Sequence, residues 1–349
     1  MLFDMRYEKP DHAVELRLSI LLLIINFVMS SAAANLSFAD DDNGSRFEFS
    51  YSVAINNIPE DAKEVTVFIP VPQSFDHQNI DDLVISSPYP YDIIADSEYG
   101  DRAARIIAEN PDTDRFEVNM VFTVDRQSVA ALDGRYKDDD RLSVKLRKRY
   151  LSPDRLVPLD GPVLEACRAV VKSGDSDLEK CRSIYDYVAS TMTYDKSGTG
   201  WGRGDVLYAC DARTGNCTDF HSLFIAMARA SGIPARFVIG FPVSETETKG
   251  EIGGYHCWAE FYTDDLGWVP VDASEASKHP EKREFYFGNL DPYRVAFTIG
   301  RDIVFNDNDL KDPLNYFIYP RVFIDGKERT DFEKSFRFLK ENLIGTAIK

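Results

Sequence analysis

The stretch that most constrains this chain runs from Gly215 to Pro234. Gly215 and Asn216 are turn formers, Gly232 stops a helix, and Pro234 cannot continue one. Between them Phe220, Leu223, Phe224, Met227 and Ala228 recur at helical spacing. The spacing predicts one buried helix with Cys217 in its first turn. A thiol there faces backbone N–H groups without a helical partner and the positive end of the helix dipole. Both favour the thiolate, the nucleophilic form. The same helix also fits a buried cysteine packed as a small hydrophobe, and the helix by itself leaves both readings open.

Length and charge narrow the options. A chain of 349 residues is long for one domain and comfortable for two. A net charge of −18 argues against sequence-independent nucleic-acid binding, which needs basic patches. Near the N-terminus, Arg17 precedes an apolar run from Leu18 to Met29. Ser30-Ser31-Ala32-Ala33-Ala34 then supplies a small-residue cleavage site, with Ser37-Phe38-Ala39 as a second. The run is short for a membrane span, although Ser30 to Ala34 would lengthen it if the segment were kept as an anchor. The pattern predicts export, to the periplasm or outside the cell in a bacterial source. Membrane contact is expected only through this segment, if uncleaved.

All five cysteines (Cys167, Cys181, Cys210, Cys217 and Cys257) fall between residues 167 and 257. An odd number in an exported chain leaves at least one thiol unpaired. There is no Cys-x-x-Cys and no His-Glu-x-x-His, so neither a metal nor a cofactor is expected. Cys167 and Cys181 either pair across a helical hairpin or remain two buried thiols; spacing alone does not fix their separation.

Residues 46–150 read as β-rich. Phe47 to Val53, Glu64 to Ile69, Arg115 to Phe122 and Leu142 to Leu146 alternate apolar and polar, split by Asn, Asp, Pro and Gly clusters. This predicts an antiparallel sandwich. His77 stands alone beside a turn and reads as a surface residue, and Asp138-Asp139-Asp140 as a solvated loop. Two helices follow, at about Pro162 to Lys172 and Asp177 to Met192. The glycine-rich Ser197 to Asp205 follows a helix and lacks the lysine of a phosphate-binding loop. Trp201, Trp258 and Trp268, the only tryptophans, are candidates to wall a cleft.

After the cysteine helix, Ala235 to Phe241 reads as a buried strand. Tyr255 to Tyr262 and Trp268 to Asp272 then form a hairpin around Thr263-Asp264-Asp265-Leu266-Gly267. A tight turn sets His256 opposite Asp272; a longer loop sets Asp272 opposite Trp258 and diagonal to His256. Both registers keep His256 and Asp272 on one face, about 4.5–5.5 Å apart at Cβ if directly opposite. A carboxylate so placed orients an imidazole and stabilises its protonated form. With a helix-start cysteine, this makes a nucleophile, a base and an orienter. His221, four residues after Cys217, is its helical neighbour and a second candidate base. Without an identifiable carboxylate partner it reads as a cleft residue, as does Asn216.

Gly215-Asn216-Cys217-Thr218-Asp219-Phe220, Gly232-Ile233-Pro234-Ala235-Arg236, Tyr255-His256-Cys257-Trp258-Ala259-Glu260 and Gly267-Trp268-Val269-Pro270-Val271-Asp272 together resemble the transglutaminase-like superfamily, more narrowly its bacterial exported members. The likeness spans roughly residues 160–300. It implies an α+β, papain-like core with Cys217 as nucleophile, His256 as base and Asp272 as orienter. It also implies a thioester route to hydrolysis or acyl transfer on a protein, peptide or other amide substrate, and it embraces non-catalytic scaffolds as well as enzymes. The oxyanion would rest on the Cys217 N–H and a second donor, for which Trp201 is the candidate.

The expected organisation is a signal peptide or anchor at 1–39, a β-rich domain at 40–150, the transglutaminase-like domain at 151–300 and an extension at 301–349 packing on the core. Within the extension, Leu314 to Ile324 reads as strands. Thr330 to Leu343 reads as a helix, with Thr330 and Glu333 as a capping box and Phe332, Phe336, Leu339 and Leu343 on one face.

Overall fold

Alternation builds the first strand. In β1 (Gly44–Ile55), Phe47, Phe49, Tyr51, Val53 and Ile55 are buried and Glu48 is exposed between them. The computed structural model describes residues 44–134 and 141–340. The apolar run at 18–29 with its cleavage sites, and the acidic run Asp138–Asp140, lie outside the described residues.

Five more strands follow β1 before the first helix: β2 (Glu64–Val71), β3 (Gln78–Ser86), β4 (Tyr91–Ala95), β5 (Arg102–Glu109) and β6 (Phe116–Gln127), with the two-residue β7 (Val129–Ala130). Next come α1 (Val144–Tyr150), α2 (Pro162–Val170), α3 (Asp177–Thr191), β8 (Thr193–Tyr194), α4 (Val206–Ala212) and β9 (Thr214–Gly215). The predicted cysteine helix is α5 (Cys217–Ala230). After it come β10 (Ala235–Pro242), β11 (Lys249–Glu251), the hairpin β12 (His256–Thr263) and β13 (Gly267–Val271), α6 (Ala273–Lys278), β14 (Asn289–Leu290) and β15 (Arg294–Ile299). The chain closes with β16 (Arg321–Ile324), β17 (Lys327–Arg329) and β18 (Phe332–Lys340).

Among the described residues three larger antiparallel sheets result, beside the two-stranded pairs β7–β14 and β8–β9, so the fold is mixed α and β, as the sequence implies. One runs β11-β18-β1-β6-β3, a second β17-β16-β2-β5-β4, and the third, which carries the hairpin, β13-β12-β10-β15. The first and third interlock through aromatic rings. Phe49 and Tyr51 of β1 meet Phe241 and Phe297 of β10 and β15 at centroid distances of 5.4–6.3 Å. Helix α5 packs on β10 and β12, with α2, α3 and α4 around it. Every residue from Cys217 to Arg229 is buried. Arg229 closes the helix by donating to Ala235 O (3.0 Å) and Ser152 O (2.7 Å) and pairing with buried Asp154 (2.7 Å).

Two expectations are corrected. Leu142 to Leu146 is not a strand. Ser143 Oγ accepts the Leu146 N–H and caps α1, and the basic run Lys145 to Arg149 consists largely of good helix formers. Thr330 to Leu343 is not a helix over its described part. β18 pairs with β1 from Phe47↔Lys340 to Ile55↔Phe332, burying Phe336 and Phe338 at a period of two. Phe336 packs edge-on against Tyr51 (4.8 Å) and tilted against Phe241 (4.3 Å), and this long-range pairing overrides the local helical spacing. The closing strands β16 to β18 therefore extend the two sheets begun by the N-terminal strands. Of the two readings left open for Cys167 and Cys181, the structure has the free thiols: all five cysteines are unpaired, and Cys167 Sγ faces Ser231 Oγ at 2.9 Å.

Candidate active site

The site starts from how α5 is capped. Asn216 Oδ1 accepts the Thr218 N–H (2.9 Å), and Asp219 reaches back to accept the Asn216 N–H (2.9 Å). This is a reciprocal capping box. Asp219 also accepts the Gly202 N–H (2.7 Å) and the Gly204 N–H (2.9 Å), tying the glycine-rich loop to the first turn. Burial pushes the Asp219 carboxyl upward, and these backbone donors offset only part of that. Gly215 is obligatory at this corner, because a Cβ there would lie 2.3 Å from Asp219 Oδ2. Arg301 holds the far side of the loop, donating to Gly204 O (3.0 Å) and Arg203 O (2.9 Å). The Asn-x-x-Asp spacing was visible in the sequence, but the second tie of Asp219 to the loop was not.

Cys217, at the first helical position, is 2% exposed, and its N–H is one of those that the helix leaves without an internal partner. The hairpin adopts the longer-loop register: Thr263 pairs with Gly267 and Ala259 with Val271, so continuing one step sets Asp272 against Trp258 and diagonal to His256. The diagonal suffices. His256 Nε2 meets Asp272 Oδ2 at 2.7 Å, and the His256 charge acts on the neighbouring Cys217 thiol. With Nε2 engaged by the carboxylate, Nδ1 is the nitrogen left for sulfur.

Asp272 is fully buried and fully occupied. Its Oδ2 also takes Arg294 Nη1 (3.2 Å), while Oδ1 accepts from Ser274 Oγ (3.1 Å) and the Glu275 N–H (3.1 Å). Burial would raise its carboxyl, but the facing His256 charge and the donated hydrogen bonds hold it well below the usual carboxylate range. Burial would likewise lower His256, yet the Asp272 charge and hydrogen bond push it up to about 10. Burial also works to raise the Cys217 thiol. Hydrogen bonds from Cys257 and His256 and the His256 charge outweigh it, leaving the thiol well below its ordinary value.

His221 does have a carboxylate neighbour, which only the fold reveals. The ring is fully buried, its Nε2 lies 3.5 Å from Asp272 Oδ1, and the same nitrogen accepts the Ala273 N–H at 3.1 Å. Its Nδ1 faces Cys257 Sγ at 3.6 Å. A cavity of about 330 Å³ opens over His256, bordered by Tyr194, Tyr255, Glu275, Lys278, Tyr286 and Arg294 among others. The tryptophans do not wall it. Trp258 is fully buried beneath the Arg294 guanidinium (5.1 Å to the ring), and Trp268 lies under Arg236 (3.9 Å) against Tyr150. Trp201 sits half-buried in the loop tied by Asp219. Asn216 acts as the cap, with Nδ2 donating to Tyr255 Oη (2.9 Å). His256, Asp272 and Glu275 offer ligand-type atoms within 4.8 Å of one another, and the Arg294 cation already pairs with Asp272 at 3.2 Å.

A family model described as the transglutaminase-like superfamily matches residues 165–273, the interval from α2 through the Cys217 helix to Asp272. Over that interval the chain is similar to the transglutaminase-like superfamily. An uncharacterized protein of Haemophilus influenzae is 26% identical over 314 residues, covering 79% of this chain and 85% of that protein. A protein-glutamine gamma-glutamyltransferase of Pseudomonas aeruginosa is 33% identical over 67 residues, only 18% of this chain and 10% of that protein. Among solved structures, one described as a candidate cysteine protease from Cytophaga hutchinsonii superposes with a TM-score of 0.58 at 19% identity, covering 86% of this chain and 92% of that one. At that identity the likeness speaks for the fold. With 86% of this chain covered, it extends beyond the transglutaminase-like segment.

Proposed function

We propose that this protein is an exported cysteine-dependent acyl-transfer enzyme that attacks an amide or peptide carbonyl through a thioester, with hydrolysis favoured over cross-linking. The observation that carries the reading is the buried, four-donor Asp272 holding His256 at 2.7 Å, with the His256 charge acting on the Cys217 thiol at the start of α5. The Cys217 thiolate adds to the carbonyl carbon, and the oxygen takes up the negative charge. The Cys217 N–H lies where it can receive that oxyanion. Collapse of the intermediate breaks the C–N bond as His256 Nδ1–H passes its proton to the leaving amine. A thioester on Cys217 remains. Water, deprotonated by His256, then releases the free acid; a substrate amine in its place would yield a new amide. Water is favoured because it is abundant, whereas amine transfer requires a site that selects the amine over it. Export rests on the apolar run from Leu18 to Met29 and the small residues after it.

Incubating the protein with a peptide and carboxamide library and weighing it intact tests this reading. An adduct on Cys217 that disappears with hydroxylamine and is absent from Cys217→Ala is expected. Free acid or ammonia in the supernatant indicates hydrolysis, and incorporation of a labelled amine indicates transfer. No adduct and no product from any donor, with the folded protein still retaining peptides, would replace the enzyme by a binding scaffold.

A further inference from the structure

His256 stands where the sheet stops. Gly240↔His256 is the last pair between β10 and β12, and β13 pairs with β12 only from Ala259 onward. A strand end with a partner on one side only is where fraying begins. The residue just before it, Tyr255, supplies a fastening. Asn216 Oδ1 accepts the Thr218 N–H, which orients the amide so that Nδ2 is its donor, and Nδ2 donates to Tyr255 Oη at 2.9 Å. The Thr218 hydroxyl meets the same Oη at 3.0 Å. Asn216 and Thr218 are the residues on either side of Cys217. One phenol oxygen thus grips both flanks of the nucleophile, and its own residue is joined by a single peptide bond to His256. The phenol is held in turn. Its ring packs against Tyr316 (5.8 Å) and Tyr319 (5.7 Å), and Tyr319 Oη accepts the Tyr255 N–H at 3.4 Å. Tyr316 Oη donates to Gly202 O at 2.9 Å, in the loop that Asp219 ties to the first turn of α5.

We propose that Tyr255 is a positioning residue: through Asn216 and Thr218 it fixes the first turn of α5, and with it Cys217, against the strand end that carries His256. The proposal rests on the reading of Cys217 as nucleophile and His256 as its base. Tyr255 exchanges no proton and forms no covalent bond in it. The segment before β16, through Tyr316 and Tyr319, braces this fastening from outside the stretch between Cys217 and Asp272.

The test is a double-mutant cycle read by the rate of Cys217 carboxamidomethylation with iodoacetamide near neutral pH, with circular dichroism to show which variants are folded. Trypsin cuts after Arg213 and Arg229, so Cys217 lies on a peptide with no other cysteine. Tyr255→Phe removes only the hydroxyl and keeps the ring against Tyr316 and Tyr319. It is expected to slow alkylation roughly two- to tenfold, the range that one hydrogen bond contributes. Thr218→Val cuts one of the two contacts and is expected to slow it less; it carries the test if Tyr255→Phe does not fold. In a His256→Ala background, followed at higher reagent concentration, the same substitution is expected to leave the rate nearly unchanged, because no base remains to be aligned. A hydroxyl that only stabilised the fold would not distinguish the two backgrounds. A wild-type rate in the folded variant, or the same loss with and without His256, would overturn this inference while fast wild-type alkylation leaves the nucleophile intact. Slow alkylation of wild-type Cys217, no faster than a free thiol, would overturn the nucleophile reading itself.

Discussion

Two different kinds of interior meet where β10 carries Phe241 next to Gly240, the partner of His256. Toward the β1 sheet, the core is almost wholly apolar: Phe49, Tyr51, Phe122, Phe241, Phe297 and Phe336 interlock ring on ring. Around the start of α5 the interior is polar, with Asn216, Thr218, Asp219, His221, Ser222 and Asp272 all buried. The first kind gains stability from area removed from water and tolerates no charge. The second is tenable only because each polar group has partners: Asp219 takes three N–H donors and Asp272 four groups. Stability is thus concentrated in one region and chemistry in the other. The aromatic junction joins them by fixing β10, and with it the strand that presents His256.

That division can be broken from the stability side. Phe49→Ala should cost about 3–5 kcal/mol of folding stability, the usual loss for truncating a packed ring. The alkylation rate of Cys217 in the fraction that remains folded should not change. Denaturant unfolding measured alongside alkylation separates the two; a slowed Cys217 in fully folded Phe49→Ala would mean that the regions are not separable.

The smaller effect sharpens the same contrast. His256 is raised to about 10 by Asp272 and Cys217, both on the polar side. Its proton is the one given to the leaving amine, so turnover should fall as pH rises through about 10, by roughly tenfold for each further unit. The position of that alkaline limb should be identical in wild type and Phe49→Ala. A limb near the ordinary histidine value would show that the Asp272 interaction does not govern the ring.

How much of this was legible depended on how local the determining contacts are. The strands β1 and β6 announce themselves by period, because one face of each is buried along its length, while β2 and the helix of Cys217, buried on all sides, show through their apolar spacing. The strand β18 did not. Phe332, Phe336 and Leu339 satisfy a helical period, and the partner that decides for a strand, β1, lies some 280 residues earlier in the chain. Likewise Leu142 to Leu146 alternates like a strand but is capped into a helix by Ser143. Cys217, His256 and Asp272 could be read because a helix start and a hairpin bring them into relation by counting. Arg294 on Asp272, the loop tie of Asp219 and the contact of His221 with Cys257 arise where separate elements pack, and no spacing in the chain encodes them. The tryptophans misled for the opposite reason: nearness to the motifs suggested a cleft wall, whereas Trp258 and Trp268 lie beneath arginines away from the cavity.

The central claim is that His256, steered by Asp272, keeps Cys217 as a thiolate. The most direct measurement is the rate of Cys217 alkylation by iodoacetamide near neutral pH in wild type and in His256→Ala, with circular dichroism to show that both are folded. The account predicts rapid alkylation in the wild type and a fall of at least tenfold in the variant, since one pKa unit of lost stabilisation already gives that factor. Equal rates in the two folded proteins would contradict it.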